Sequence, residues 1–298
     1  MNILYFFKDY DNFMSKWQYI HIFDELEHYG HRVTVYNPLS YKNPEEANEK
    51  LIPFILNSKS KFDLFLNCES DGFLFSTTVE EVKKIGLPTV LICFDNLHAP
   101  HLHKKIASVF DIVWLTSFEK WGCKNIVVQT YAANPFKFSP NWGSSKSVVS
   151  FIGSPYGSRI PVLNFLTQSK IPCNVFSNAL SESNQKRNNI PNIKISLVEE
   201  IFRALSFDIG RKVFLAALLN RTIMKNKTKL DVNDFLHIYP SVSFSEMQNV
   251  YSDSALSLNI NDLRYTYLLK NPLYKIHLRT FEIPMCGGLQ ISHYTKEL

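Results

Sequence analysis

The sequence predicts an α/β protein made of two doubly wound, parallel-sheet domains in tandem. Three observations predict it. Short apolar runs alternate with segments of helical period from Asn2 to Ala132. The stretch AANPFKFSPNWGSSKS, 132–147, then breaks the rhythm with two prolines, a glycine and no period. The alternation restarts at SVVSFIG, 147–153. Strand–helix alternation is the signature of a parallel sheet covered by helices on both faces. The expected boundaries are 1–138 for the first domain, 139–147 for a linker and 148–298 for the second domain.

Each element has its reason. NILYFF (2–7) is the first strand, and Trp17, Ile20, Phe23, Leu26 and Tyr29 recur every third residue along a helix from Ser15. HRVTVYN (31–37) is the second strand, and a helix over 45–57 opens with two acids in its first turn. FDLFLN (62–67) is the third strand, followed by a helix from Ser76 to Gly86. PTVLICFD (88–95) is nearly all apolar, as a strand buried on both faces should be. A short helix at 101–109, the strand DIVWLT (111–116), a helix at 117–123 and the strand NIVVQTYA (125–132) complete the first set. In the second set come SVVSFIG, a helix from IPVLNFL (160–166), the strand CNVFSN (173–178) and a polar loop over 179–195. Helical stretches follow in 198–230, then a Ser-capped helix over 243–254 and the strand ALSLNIN (255–261). The short helix RTFEIPMC and the strand LQIS (289–292) end the series.

Composition excludes several classes. The 298 residues are 45% hydrophobic and 20% charged, which suits a folded chain and not a disordered one. The densest apolar run, VFLAALL at 213–219, is far short of the roughly 20 residues that cross a bilayer. MNILYFFKDYD has no basic leader region and reads as a strand rather than a signal peptide. Cys68, Cys93, Cys123, Cys173 and Cys286 are odd in number and form no CxxC pair, which argues against a disulfide framework and a zinc site. A cytoplasmic location is expected. Lys and Arg number 14 against 16 Asp and Glu in residues 1–140, and 18 against 11 in residues 141–298. The balances are −2 and +7, so the second half carries the whole net charge of +5. That half is either a solvated basic surface or the seat of an anionic partner.

Ligands of doubly wound sheets sit outside the carboxyl ends of the strands, and that rule selects three loops. FIGSPYGSR (151–159) leads from a strand into a helix start. It is either an ordinary turn or a phosphate site, in which Gly153, Ser154, Tyr156 and Gly157 approach the anion and Arg159 adds a bidentate contact. RTFEIPMCGG (279–288) places Arg279 and Glu282 on one helix face. They form either an exposed pair favoured by the helix dipole or a carboxylate that accepts hydrogen bonds from a ribose diol. FDNLHAPHLH (94–103) gathers Asp95, His98, His101 and His103. It is a plain polar loop, a substrate site using Asp95 or a histidine, or, least of the three, a metal site. No GxSxG, HExxH or Walker motif occurs, and the first strand is not followed by GxGxxG.

SEMQNVYSDSALSLNIN followed by LRTFEIPMCGGLQIS resembles the C-terminal domain of CgeB-like, spore-maturation-type glycosyltransferases of the GT-B fold. GHRVTVYNP, FIGSPYGSR and AANPFKF are also similar to that family. The resemblance implies two Rossmann-like domains facing a central cleft and a sugar transferred from a nucleotide-diphosphate donor. Gly153, Ser154, Tyr156, Gly157, Arg159, Arg279 and Glu282 would bind the donor, with Glu282 on its ribose. Asp95 and His98 would carry the acceptor chemistry. No cofactor or metal is implied, because basic side chains and helix dipoles can neutralise the leaving diphosphate. The acceptor is expected to be a glycan, a lipid-linked glycan or a protein. Many retaining enzymes of this fold carry a second acid eight residues before the Glu282 position, where this chain has Tyr274. The fold usually continues beyond a strand like LQIS, so a truncated chain or an abbreviated second domain is expected at Leu298. Two other readings stand beside this one: a nucleic-acid-modifying glycosyltransferase, and a non-catalytic nucleotide- or carbohydrate-binding scaffold. Lys225, Lys227 and Lys229 read first as a solvated charge run and second as a peripheral contact with the inner face of a membrane.

Overall fold

The computed structural model describes residues 1–10, 12–59, 61–97, 99–119, 121–130, 132–143, 145–178, 197–223 and 229–295. The chain divides into two compact units, Met1–Asn134 with Asn189–Gly210, and Pro135–Asn188 with Arg211–Leu298.

The first unit is built on six strands: β1 (Asn2–Phe6), β2 (Arg32–Tyr36), β3 (Leu64–Asn67), β4 (Thr89–Cys93), β5 (Ile112–Leu115) and β6 (Ile126–Val128). They pair in the order β2-β1-β3-β4-β5-β6, and every pairing is parallel. Side chains alternate across a strand, so one run of sequence feeds two layers. Leu4 and Phe6 face a cluster with Phe65, Leu91 and Leu115, roofed by the helices Pro44–Leu56 and Ser76–Lys84. Ile3, Tyr5 and Phe7 face the other way onto Phe23, Leu66 and Ile92. Phe23 belongs to the helical segment 13–28, whose middle residues, Tyr19–Phe23, widen into a π-turn.

The second unit is built on β7 (Lys146–Ile152), β8 (Cys173–Phe176), β9 (Leu236–Tyr239), β10 (Ser254–Asn259) and β11 (Gln290–Ser292). Their order is β11-β10-β7-β8-β9, again parallel throughout. Val149, Phe151, Val175 and Leu258 form its core with Leu163 of the helix Arg159–Gln168. The helix Phe244–Asp253 starts on a capping box: the Ser243 hydroxyl accepts from the Glu246 amide, and the Glu246 carboxylate accepts from the Ser243 amide.

The α/β expectation holds, with three differences. The helix expected at 117–123 does not form: among the described residues this stretch is irregular, and Ser117 is tied to Asn96, whose side-chain amide donates to its carbonyl. The strand β9 carries only four residues, LHIY, three of them exposed, and its apolar signal is too weak to separate from the helical stretches before it. The helix Leu197–Leu205 lies with the first unit, although its sequence falls inside the 148–298 stretch. The polar loop expected at 179–195 lies outside the described residues. No helix among the described residues is long and apolar enough to cross a membrane.

Candidate functional site

Strand order decides where each sheet opens. In the second unit the chain runs from β7 to β8 and β9 on one side, then crosses to β10 and β11 on the other. The loops after β7 and β10 therefore diverge at a topological switch point, where doubly wound sheets bind ligands. These loops are 153–158 and 260–278, and the chain then enters the helix Arg279–Met285.

Two guanidinium groups meet at this crevice. Arg159 begins its helix and is 5% exposed. Its Nη1 donates to the Ser154 carbonyl at 2.8 Å, and the group lies 4.2 Å from the centre of the Tyr156 ring. Arg279 donates from Nη1 to the Ile152 carbonyl at 2.9 Å, while its buried Nε has no hydrogen-bond partner. Both guanidiniums also face the buried Phe151 ring, at 5.6 Å and 5.4 Å. Burial, and then the positive charge of Arg279, lower the Arg159 pKa to about 10. At neutral pH Arg159 stays charged in a poorly hydrated place, with the positive charge of Arg279 beside it.

The glycines explain how the backbone comes so close. Gly157 has φ +59°, and a Cβ there would fall 2.6 Å from the Arg264 carbonyl. A Cβ on Gly288 would fall 2.7 Å from the Tyr251 carbonyl, so the turn after Met285 fits only without a side chain.

Glu282 is not on an exposed helix face. It is 4% exposed, and burial raises its pKa from 4.5 to about 7, with Arg279 opposing the rise. The buried Tyr251 and Cys286 feel its charge and are themselves pushed up, mainly by burial. Ser158 donates to Asp262 at 2.5 Å, which pins the loop after β7 to the loop after β10. Tyr274 stacks on His293 at 4.9 Å, and His293 Nδ1 lies 3.9 Å from Asp262. Of the residues expected in the donor site, Gly153, Arg159, Arg279 and Glu282 converge here. Ser154 contributes its carbonyl, and Tyr156 offers a ring to Arg159.

In the first unit the switch point falls between β1 and β3. Lys8 follows β1 and Glu69 follows β3, and their side chains pair at 2.9 Å. The Lys8 amide also donates to Glu69 at 3.0 Å, and the Lys8 ammonium lies 3.7 Å above the Phe73 ring. Burial works against the Lys8 charge, but Glu69 outweighs it and raises the Lys8 pKa. His103 is buried beside this pair, with Nε2 3.1 Å from the Cys68 carbonyl, and burial lowers its pKa. Asp95 is exposed on the turn after β4, and its charge reaches His103. His98 lies outside the described residues. Among the described residues, no three His, Cys, Asp or Glu side chains gather as a metal site. ESDG, 69–72, reads from sequence as a cleft-lining strand end and holds Glu69, but Lys8 as its partner, Asp262 and the double role of Phe151 were not singled out by sequence. Their only signal is that each stands at or just past the end of a strand beside a switch point.

No family model matches the chain, and no curated protein matches it. Solved structures do. An alpha-glucosyltransferase in complex with UDP and a 13-mer DNA containing a HMU base is 12% identical, with a TM-score of 0.50 over 98% of this chain and 79% of its own. AviGT4, a glycosyltransferase involved in avilamycin A biosynthesis, is 9% identical, with a TM-score of 0.51 over 98% of this chain and 78% of its own. An alpha-glucosyltransferase in complex with UDP-glucose and DNA containing an abasic site is 11% identical, with a TM-score of 0.50 over 98% and 78%. At these identities the likeness is one of fold, and the fold is that of the GT-B glycosyltransferases.

Proposed function

We propose that this chain is a glycosyltransferase that moves a sugar from a nucleotide-diphosphate donor, and that the crevice at the ends of β7 and β10 receives the donor's diphosphate. The observation that carries this reading is the pairing of the buried Arg159 with the partly buried Arg279. Their like charges are held against a hydrophobic ring at the point where this fold binds ligands. An anion bound between them relieves both burial and repulsion. When the bond from the sugar to the diphosphate breaks, charge grows on the leaving oxygen. Cations already oriented there stabilise it without reorganising. Gly153 and Gly157 let the main chain approach the phosphates, with Ser154 and Tyr156 beside them. Glu282, once ionised, accepts the ribose hydroxyls. These side chains supply the needed positive charge, so this reading requires no metal and no cofactor. Asp95 and His98 belong to the acceptor side. The neighbours' UDP and UDP-glucose support a nucleoside diphosphate as the ligand class.

The finer reading places the chain near the CgeB-like glycosyltransferases, on the residues 279–288, with a glycan, lipid-linked or protein acceptor. A cytoplasmic protein resting on the inner face of a membrane fits the helix Asp208–Ile223, where Phe214, Leu215 and Leu218 are about half exposed near Arg211 and Arg221. A second reading, a nucleic-acid acceptor, draws on the +7 balance of residues 141–298 and on the DNA in two of the neighbours' complexes. DNA binding that weakens steeply with salt would favour it.

The test is thermal melting with a panel of nucleoside diphosphates and their sugars, on the wild type, Arg279→Gln and Glu282→Ala. A ligand at a hundred times its Kd stabilises by about 2.7 kcal/mol. The expected result is a rise with one base family, absent in Arg279→Gln and reduced in Glu282→Ala. No rise with any ligand overturns the donor reading, and a rise with sugar nucleotides but no turnover on any acceptor favours the scaffold.

A further inference from the structure

The first unit holds a basic hollow of its own. It is a pocket of about 350 Å³ lined by His101, Lys104, Lys105, Arg203, Ser206 and Phe207. Three of the six are cationic at neutral pH, and among the described residues no carboxylate lines it. The surrounding stretch, residues 1–140, has a balance of −2, so this concentration of positive charge runs against its domain. Arg203 is anchored by Glu199 at 2.8 Å and Asp71 at 3.4 Å, so part of its charge is answered. Lys105 and Lys104, whose charge Glu119 also feels, supply the rest. The Lys104 ammonium is held 4.6 Å over the Phe207 ring, which places it without cancelling its charge. Ser206 adds a hydroxyl, although that group already donates to the Arg203 carbonyl at 2.7 Å and has only its lone pairs left.

The position is as telling as the charge. His101, Lys104 and Lys105 follow the carboxyl end of β4, and the Leu102 carbonyl accepts from the Asp71 amide past the end of β3. The hollow thus opens at the ligand-binding edge of the first sheet. We propose that it binds a phosphomonoester or pyrophosphate group, a site separate from the one assigned to the donor. Under the glycosyltransferase reading, that group is carried by the acceptor. The anion site itself does not rest on that reading. A pocket of this volume suits one or two phosphate groups, whereas a duplex makes its contacts along an extended strip of phosphates.

The experiment is calorimetric titration of the full chain with inorganic pyrophosphate. The proteins compared are the wild type, Lys104→Glu/Lys105→Glu, Lys104→Gln/Lys105→Gln and Arg279→Gln, with melting temperatures confirming that each is folded. The expected result is a binding event kept in Arg279→Gln, weakened at least about tenfold in the Gln pair, and lost in the Glu pair. Equal affinity and stoichiometry in the wild type and the Glu pair overturn the proposal. So does pyrophosphate binding that disappears wholly in Arg279→Gln. If the donor reading alone fails, the Lys104/Lys105-dependent event remains and no nucleoside diphosphate binds. Tighter binding of duplex DNA than of pyrophosphate, lost in the same Glu pair, assigns the hollow to nucleic acid instead and overturns the proposal.

Discussion

At the first unit's crevice the Lys8 ammonium meets a carboxylate at 2.9 Å, whereas at the second unit's crevice the Arg159 guanidinium shares a phenyl ring with another guanidinium. The two crevices arise in the same way, from strands that diverge at a switch point, yet their charges are answered differently. Lys8 and Glu69 complete each other and help hold two loops together. Arg159 and Arg279 donate to main-chain carbonyls, at Ser154 and Ile152, and feel Asp262 and Glu282 only as neighbouring charges, with no ion pair among the described residues as close as that of Lys8. The difference teaches which crevice is finished by folding and which is finished by a ligand. A buried cation with its counter-ion inside the chain is structure. A buried cation with a second, partly buried cation beside it carries a cost that an incoming anion removes.

Substitutions break or sharpen that contrast. The largest expected effect is on the first unit. Lys8→Met leaves Glu69 buried without its partner and should lower unfolding free energy by about 3 kcal/mol, as read by denaturant titration. Nucleoside diphosphate affinity should not change. The mirror-image substitution, Arg159→Met, should behave in the opposite way. It removes one of two repelling charges at similar volume, so stability should move by less than about 1 kcal/mol, while nucleoside diphosphate affinity falls at least about tenfold. A protein destabilised by Arg159→Met as strongly as by Lys8→Met would erase the distinction between the crevices.

Two smaller effects refine it. Glu282 has its pKa raised from 4.5 to about 7 by burial. The unfolded chain therefore gives up this proton first, and between those values the unfolded state holds fewer protons than the folded one. Stability contributed by the protonated form is complete below about pH 4.5 and is lost as the pH rises through about 7. Glu282→Gln should flatten that decline, a change on the order of 2 kcal/mol in unfolding free energy between pH 5 and 8. Gly157→Ala places a methyl group 2.6 Å from the Arg264 carbonyl at φ +59°, and should lower stability by about 1 to 2 kcal/mol. Gly122 also has a positive φ, +74°, but nothing lies within 4 Å of a Cβ there, so Gly122→Ala serves as the control with strain alone.

Much of this was legible from residues. Nearly every strand of both sheets announced itself as an apolar run, because strands buried on both faces must be apolar along their whole length. β9 escaped because an edge strand of four residues with three exposed carries little of that signal. The helix expected at 117–123 failed because Asn96 supplies side-chain partners that the main chain of Thr116 and Ser117 takes instead. At the site, the rule of strand ends and the family resemblance put Arg159, Arg279 and Glu282 into one neighbourhood. It gave no sign that Glu282 is buried, because the exposure of a seven-residue helix depends on what packs over it. Nor did it give the opposed characters of the two crevices, since pairing across a sheet depends on strand order.

Phe151 is fully buried in the second core, and both guanidiniums face its ring. The same six carbons that help hold β7 against its helix also set where two positive charges can stand. Grip on an anion and cohesion of the sheet are therefore mechanically linked: a breathing motion that tilts this ring loosens both together. A ligand's residence in the crevice becomes a gauge of how often the strand beneath it opens.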